Sequence, residues 1–170
     1  DIVRPFNYPP DTPGRGWTIT EADHRQVAVV VAMGNVYVST LTSPFQEIMG
    51  IVDDLHAQGV RTIIVDMHAE ATSEKLAFAR YLDGKVSAVI GTHTHIPTAD
   101  AQILPEGTAY QTDVGMVGPV DSVIGMKVEA SINRFLTQRR VKFQQSEDDA
   151  FLFQAVLLEI DGDGRAKHIE

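Results

Sequence analysis

The sequence predicts an α/β fold in which a mixed sheet is flanked by helices. Up to residue 90, apolar runs of strand length alternate with stretches of helical periodicity. After residue 100 the pattern changes to short extended segments separated by turn residues, which favours antiparallel pairing. Strand–helix–strand–helix–strand followed by antiparallel elements is typical of an α/β or mixed sheet with helices on its faces.

The first predicted strand covers residues 26–33, which include four valines. A continuous β-branched run of this length is typical of a strand that is buried on both faces. We expect residues 35–38 to extend this strand past Gly34. Residues 44–58 form the first predicted helix, because Pro44 suits its first turn and an apolar stripe runs along it. The stripe consists of Phe45, Ile48, Met49, Val52 and Leu55.

A second strand, a second helix and a third strand follow. The strands are predicted at residues 60–65 and 86–90, and the helix between them at residues 73–82. Ser73 or Thr72 is the expected cap of that helix. The remaining predictions are a loop (4–17), a hairpin (101–104 with 108–112), a helix (127–138), a strand (151–160) and a last strand (165–169).

Composition and charge narrow the classes of function. The formal net charge is −9, which disfavours binding to long nucleic acids but not to a small phosphate ester. No apolar run reaches about eighteen residues, so no membrane span is predicted. Cysteine is absent, which excludes disulfides and thiolate metal sites and leaves His, Asp, Glu and Asn as candidate ligands. We expect a single domain over residues 1–170 and a cytoplasmic location.

Three histidines follow the predicted strands at the points where those strands end. His68 comes after the second strand, and His93 and His95 come after the third. The carboxyl ends of the strands in an open α/β sheet are where ligands bind. In extended backbone, residues two apart point the same way, so we expect His93 and His95 to face one location, with Thr92 and Thr94 pointing away. Because imidazole commonly binds Zn, Fe and Ni, the pattern predicts a metal site, although a lone His is more often structural.

Four neighbours of these histidines are candidate supporting residues. Asp66 is expected on the same side of the strand end as His68, where it either orients the imidazole or caps local backbone. Glu70 is either a group at the site or a solvated loop residue, and Thr92 and Thr94 either support the site or satisfy backbone groups. The remaining histidines are expected to be ordinary exposed residues: His24, His56 and His168.

Three blocks of sequence carry a resemblance to a known family. They are Asp-Met-His-Ala-Glu-Ala-Thr-Ser-Glu-Lys (66–75), Gly-Thr-His-Thr-His-Ile-Pro-Thr-Ala-Asp (91–100), and Thr-Asp-Val-Gly-Met-Val-Gly-Pro (112–119) with Asp-Ser-Val-Ile-Gly-Met (121–126). In this order they closely resemble the bacterial YmdB-type metallophosphoesterases, a branch of the calcineurin-like phosphoesterases. The resemblance covers residues 4–170 and is weaker over residues 137–150.

The resemblance implies a calcineurin-like sandwich of mixed sheets and helices with a dinuclear metal centre. It implies two ions, iron or manganese, with zinc as an alternative. It also implies hydrolysis of a small phosphodiester, with 2′,3′-cyclic nucleotides as the substrate class. By matching motif, His68 and His93 would bind one metal and His95 the other. The oligomeric state is left open, a homo-oligomer included.

One departure from the family pattern limits these expectations. The family begins with Gly-Asp, an acidic ligand with Asn, and Gly-Asn-His, which supply a bridging carboxylate, an Asn ligand and a proton-donating His; none of these motifs is found here. We therefore expect residues 1–170 to be the C-terminal two-thirds of an N-terminally truncated family domain, with the general acid upstream and the isolated chain inactive. Two alternatives stay open: a non-catalytic module, and a mononuclear zinc hydrolase with three histidines.

Overall fold

The computed structural model of the protein describes residues 2–38 and 42–170. The helices are α1 (Pro44–Ala57), α2 (Thr72–Tyr81) and α3 (Val128–Thr137). The strands are β1 (Trp17–Ala22), β2 (Arg25–Met33), β3 (Thr62–His68), β4 (Ala88–Thr92), β5 (Gln102–Ile103), β6 (Ala109–Gln111), β7 (Gly118–Pro119), β8 (Phe151–Leu152), β9 (Leu158–Ile160) and β10 (Ala166–Ile169). No helix in these ranges is long and apolar enough to cross a bilayer.

A six-stranded mixed sheet organises the chain. Its strand order is β1-β2-β3-β4-β6-β5. The four inner strands run parallel, and β1 and β5 pair antiparallel at the two edges. Two short antiparallel pairs, β9 with β10 and β7 with β8, lie outside this sheet. The predicted α/β fold with a mixed sheet is confirmed.

Helices α1 and α2 cover one face of the sheet. The apolar stripe predicted for α1 is fully buried at Ile48 and Leu55 and packs with alternate residues of β2 and β3. Phe45 of α1 meets Phe78 of α2 edge to face, with the ring centroids 5.1 Å apart. Burying side chains of this size stabilises the fold by about 1.5–3 kcal/mol each. The packed helices α1 and α2 therefore hold the parallel strands in place, together with the residues at the carboxyl ends of those strands.

The second face of the sheet is only partly covered. The β9–β10 hairpin places Ala166 against Ala88 and Ala109 of the sheet. It packs mainly over β5 and β6, and it meets β2 through a hydrogen bond of 3.4 Å from the Arg25 guanidinium to the carbonyl oxygen of Ile160. The prediction that residues 26–33 are buried on both faces is therefore wrong, because Gln26 is exposed and the side chains of residues 27–33 alternate between half-buried and buried.

The edge strand β1 was not predicted from the sequence. A two-residue turn joins it to β2, and both turn residues, Asp23 and His24, have positive φ values of 48° and 60°. This backbone matches the type I′ turn that favours Asn-Gly or Asp-Gly, and Asp-His lacks that signal. The predicted extension of β2 over residues 35–38 is also wrong. The backbone N–H groups of Asn35 and Val36 instead donate to the carboxylate of Glu74, at 2.8 and 3.3 Å.

Several predicted boundaries also differ from the structure. Helix α2 begins at Thr72, and its N-cap is Ala71 with no side-chain cap hydrogen bond, so the expected capping by Ser73 or Thr72 is wrong. The single strand predicted over residues 151–160 is two short strands, β8 and β9, that pair with different partners. The second and third strands run further than predicted, so that β3 ends at His68 itself and β4 ends at Thr92.

Candidate functional site

The carboxyl ends of β3 and β4 lie side by side in the sheet. The parallel register pairs His68, the last residue of β3, with Thr92, the last residue of β4. The turn that begins at His93 therefore starts directly beside His68. This is the edge at which open α/β sheets bind ligands, as the sequence predicted.

His68 and His93 are in direct contact. The Nε2 atom of His68 lies 3.1 Å from Nδ1 of His93. The ring planes meet at 83°, with centroids 4.9 Å apart. On the far side of the second ring, Nε2 of His93 lies 3.1 Å from a carboxylate oxygen of Glu70. Two imidazoles and one carboxylate thus form a continuous chain at the edge of the sheet.

Thr92 and Asp66 fix the protonation of the His68 ring. The hydroxyl of Thr92 donates to Oδ1 of Asp66 at 2.7 Å, and its oxygen lies 3.0 Å from Nδ1 of His68. Because the hydroxyl has one proton and gives it to Asp66, Nδ1 of His68 must be the donor to Thr92. The lone pair of His68 is therefore on Nε2, which faces His93. The prediction that Thr92 points away from the site is wrong.

The environment of the His68 ring favours its neutral form. Burial lowers the pKa of His68, and the neighbouring His93 ring lowers it further. Burial raises the pKa of Asp66, against the opposing hydrogen bond from Thr92. A neutral imidazole with one fixed N–H and one free lone pair is the form that binds a metal ion.

His95 does not join this pair. Its ring is exposed, and Nδ1 lies 3.3 Å from the carbonyl oxygen of Ile124. No hydrogen bond connects it to His68 or His93 in the part of the chain that the structure describes. The sequence argument assumed extended backbone, but β4 ends at Thr92, and the φ angles of His93 and His95 are 106° and 66°.

Thr94 is held mainly by its backbone, and its side chain adds a smaller interaction with Asp113. Its N–H donates to Oδ2 of Asp113 at 3.0 Å, while its hydroxyl makes a long contact of 3.4 Å with the carbonyl of Ile96. Asp113 is itself paired with Lys75 in the protein interior, at 2.8 Å. Burial alone would raise the pKa of Asp113, but the hydrogen bond from Lys75 and those from backbone N–H groups outweigh it and lower the pKa.

Sequence reasoning assigned no role to Lys75 or Asp113. The available signal was the position of Asp113 just after β6, the next parallel strand along the same edge as His68 and His93. The other histidines lie apart from this edge. His24 and His168 are exposed as predicted, beside Glu21 and Glu170, whereas His56 is half-buried on α1: these three contact neither His68 nor His93.

The side chains at this edge fit part of a metal site. Among residues 2–38 and 42–170, no three His, Cys, Asp or Glu side chains form a cluster arranged to hold an ion. The donor chemistry nevertheless suits a transition metal, because a neutral imidazole with its lone pair fixed on Nε2 meets a second imidazole at 3.1 Å. His68 and His93 can therefore supply two nitrogen ligands to one ion.

Fold and site together define a mixed α/β protein with paired imidazoles at the carboxyl edge of its parallel strands. The chain belongs to the YmdB-like protein family, whose family model matches residues 1–170. The resemblance drawn from the three sequence blocks is thus confirmed. The calcineurin-like layering that it implied stays a prediction.

Similar proteins and similar solved structures support this family assignment. The 2′,3′-cyclic-nucleotide 2′-phosphodiesterase of Bacillus subtilis (strain 168) is 46% identical over 164 residues, which cover 95% of this chain and 60% of that protein. A hypothetical protein from Thermus thermophilus superimposes with a TM-score of 0.91 at 45% identity, over 98% of this chain and 64% of that one. A novel phosphatase from Mycoplasma pneumoniae gives a TM-score of 0.84 at 34% identity, over 99% and 61%. The chain thus spans about 60% of the length of its B. subtilis relative.

Proposed function

We propose that this chain carries the histidine ligands of a metal-dependent phosphodiesterase that hydrolyses small phosphodiesters of the 2′,3′-cyclic nucleotide class. The observation that carries the proposal is the contact between His68 and His93 at the carboxyl edge of the sheet. Family membership and the names of relatives from B. subtilis and M. pneumoniae support the reaction class. The dinuclear centre and the cyclic substrate are the finer parts of the proposal, and they rest on the family resemblance and on the name of the B. subtilis relative.

We assign His68 and His93 to one ion and His95 to a second. Iron or manganese are the proposed metals, with zinc as the alternative. A bound pair of such ions would supply Lewis acidity and neutralise charge on the phosphoryl oxygens. In a chain of net charge −9, these cations would also offset the general repulsion of an anionic substrate.

The neighbouring residues support the proposed ligands through hydrogen bonds. The Asp66–Thr92 pair holds the Nδ1 proton of His68, so that Nε2 is presented as a lone pair. Glu70 lies at the outer nitrogen of His93 and fixes the rotation of that ring. Such outer partners of a ligating histidine keep its tautomer and raise its basicity.

Metal analysis of purified protein tests the assignment. In the full-length protein, we expect His68→Ala and His93→Ala to lose bound metal and the hydrolysis of a 2′,3′-cyclic nucleotide together, while His24→Ala, at an exposed turn, keeps both. Two ions per chain support the dinuclear proposal, and a single zinc would favour the mononuclear alternative. Wild-type protein without metal after loading with manganese, iron or zinc would support a non-catalytic module. Full metal content and turnover in His68→Ala and His93→Ala would refute the assignment.

A further inference from the structure

A buried ion pair lies beside the histidine turn. Nζ of Lys75 donates to Oδ2 of Asp113 at 2.8 Å, and both side chains are fully shielded from solvent. The two residues are 38 positions apart, on α2 and on the loop that follows β6. Charged side chains are rarely buried unless paired, and a buried pair is weak evidence of added stability. The positions that the pair imposes on α2 and on the loop after β6 therefore explain its presence better than a gain in stability does.

Besides the hydrogen bond from Lys75, the Asp113 carboxylate accepts hydrogen bonds from backbone N–H groups. Oδ2 accepts the N–H of Thr94 at 3.0 Å, and Oδ1 accepts the N–H of Gly115 at 2.9 Å. Thr94 lies between His93 and His95, so the carboxylate fixes the middle of the turn that bears both histidines. The ion pair thus links helix α2 to this turn.

The turn has a backbone that needs such support. The φ angles of His93 and His95 are 106° and 66°, in a region that residues other than glycine seldom adopt. Conformations of this kind persist where surrounding structure imposes them. The hydrogen bond from Thr94 to Asp113 acts between the two strained residues, where it constrains both.

We propose that Asp113, held by Lys75, is a positioning residue that sets the backbone of the 93–95 turn so that the His93 ring meets His68. This inference rests on the proposed function, since it concerns the orientation of residues assigned there as ligands. The charge on Asp113 matters because hydrogen bonds to an ionised carboxylate are shorter and stronger than bonds to a neutral group. Lys75 supplies the counter-charge that keeps the carboxylate ionised in the interior.

A first test needs no metal. Asp113→Asn is compared with Asp83→Asn, a matched control whose carboxylate accepts backbone N–H groups of Glu106 and Thr108 at 3.2 and 3.4 Å. Nitrogen-15 NMR of the histidine rings in metal-free protein reports the His68–His93 contact. We expect the ring-nitrogen shifts of both histidines to change in Asp113→Asn and to keep their wild-type values in Asp83→Asn. Unchanged shifts in Asp113→Asn, or equal changes in both variants, would overturn the proposal.

A second test uses Co²⁺ as a visible probe of the ligands. We expect Asp113→Asn to weaken Co²⁺ binding by about 10–100-fold and to alter the absorption spectrum, whereas Asp83→Asn keeps wild-type affinity. Equal affinities in the two variants would count against positioning. If wild-type protein binds no Co²⁺, the metal assignment fails, while the metal-free NMR comparison still decides the role of Asp113.

A double variant that removes both charges keeps the proposal testable if Asp113→Asn does not fold. That variant leaves Lys75 as an unpaired buried charge, which is strongly destabilising. The double variant Lys75→Met with Asp113→Asn removes both charges. We expect it to fold and to show the same changes at His68 and His93. Wild-type ring shifts in the double variant, or failure of both variants to fold, would place the pair in folding alone and overturn the proposal.

Discussion

Nε2 of His68 and Nδ1 of His93 lie 3.1 Å apart, although the two residues are separated by 25 positions in the chain. The contact exists because β3 and β4 are parallel neighbours that end level with each other, His68 opposite Thr92. Each ring is then held by a different kind of support. The ring of His68 is fixed by a side-chain relay through Thr92 to Asp66, and that of His93 by a turn whose centre is anchored to Asp113.

Replacing Thr92 by Val should disconnect this relay at nearly constant volume. Nδ1 of His68 loses its partner, and Asp66 loses the hydroxyl that donates to it at 2.7 Å. We expect stability to fall by about 0.5–1.5 kcal/mol because half-buried polar groups lose their hydrogen-bond partners. We expect metal affinity to fall by about 10–100-fold. Thr20→Val, at an exposed position of β1, is the matched control, and equal metal affinity in the two variants would contradict the relay.

A methyl group at Gly91 should disturb the sheet edge directly. A Cβ built there would lie within 1.7 Å of the carbonyl oxygen of Thr112, which is backbone and cannot rotate aside. We expect Gly91→Ala to destabilise the protein by about 1–3 kcal/mol or more in urea denaturation. Gly50→Ala in α1 is the control, because a Cβ there meets nothing within 4 Å. Alanine should stabilise that helix by about 0.5–1 kcal/mol, and similar effects at the two sites would contradict the packing described here.

Replacing Phe78 by Ala should weaken the packing between α1 and α2. Its ring is fully buried and meets Phe45 at 5.1 Å between centroids. We expect Phe78→Ala to lower the free energy of unfolding by about 3–5 kcal/mol. Phe135→Ala on α3 removes a ring that is 78% exposed and should change stability by no more than about 0.5 kcal/mol. A loss below about 1 kcal/mol for Phe78→Ala would contradict the assigned core.

Part of the protein's free energy of unfolding should be lost at acidic pH, because Asp100 becomes protonated. Burial alone would raise the pKa of Asp100, but hydrogen bonds from Thr112 and Thr98 outweigh it and lower the pKa. The folded state therefore favours the ionised form. The resulting stability is present above the unfolded-state pKa of about 3.9 and is lost as the pH falls through the lower folded-state value. We expect the free energy of unfolding of wild-type protein to fall below about pH 4, and less steeply in Asp100→Asn. Identical slopes would show that Asp100 does not contribute.

Local patterns in the sequence predicted most of the fold. Helix α1 was placed correctly because its apolar stripe and Pro44 are local signals, and the predicted hairpin of β5 and β6 is present in the sheet. Strand β1 was missed because its turn, Asp23-His24, adopts positive φ without the usual glycine. The failure to predict β1 thus arose where the backbone conformation is unusual for its residues.

The contact between His68 and His93 was predicted from the strand order and from an assumed extended backbone after β4, and only the strand order was right. Strand order brought His68 and His93 together as expected, but the left-handed backbone after β4 was invisible in the sequence, so His95 was expected beside them. The Lys75–Asp113 pair was also missed, because a contact 38 positions apart leaves no local pattern. Long-range partners of this kind depend on the tertiary fold.

Anomalous X-ray diffraction from crystals of this protein soaked in Zn²⁺ or Mn²⁺ tests whether His68 and His93 bind the same metal ion. We expect an anomalous peak within ligand distance, about 2.0–2.2 Å, of a ring nitrogen of both His68 and His93. Rings of His68 and His93 that stay in contact with each other, with no peak beside either one, would contradict it.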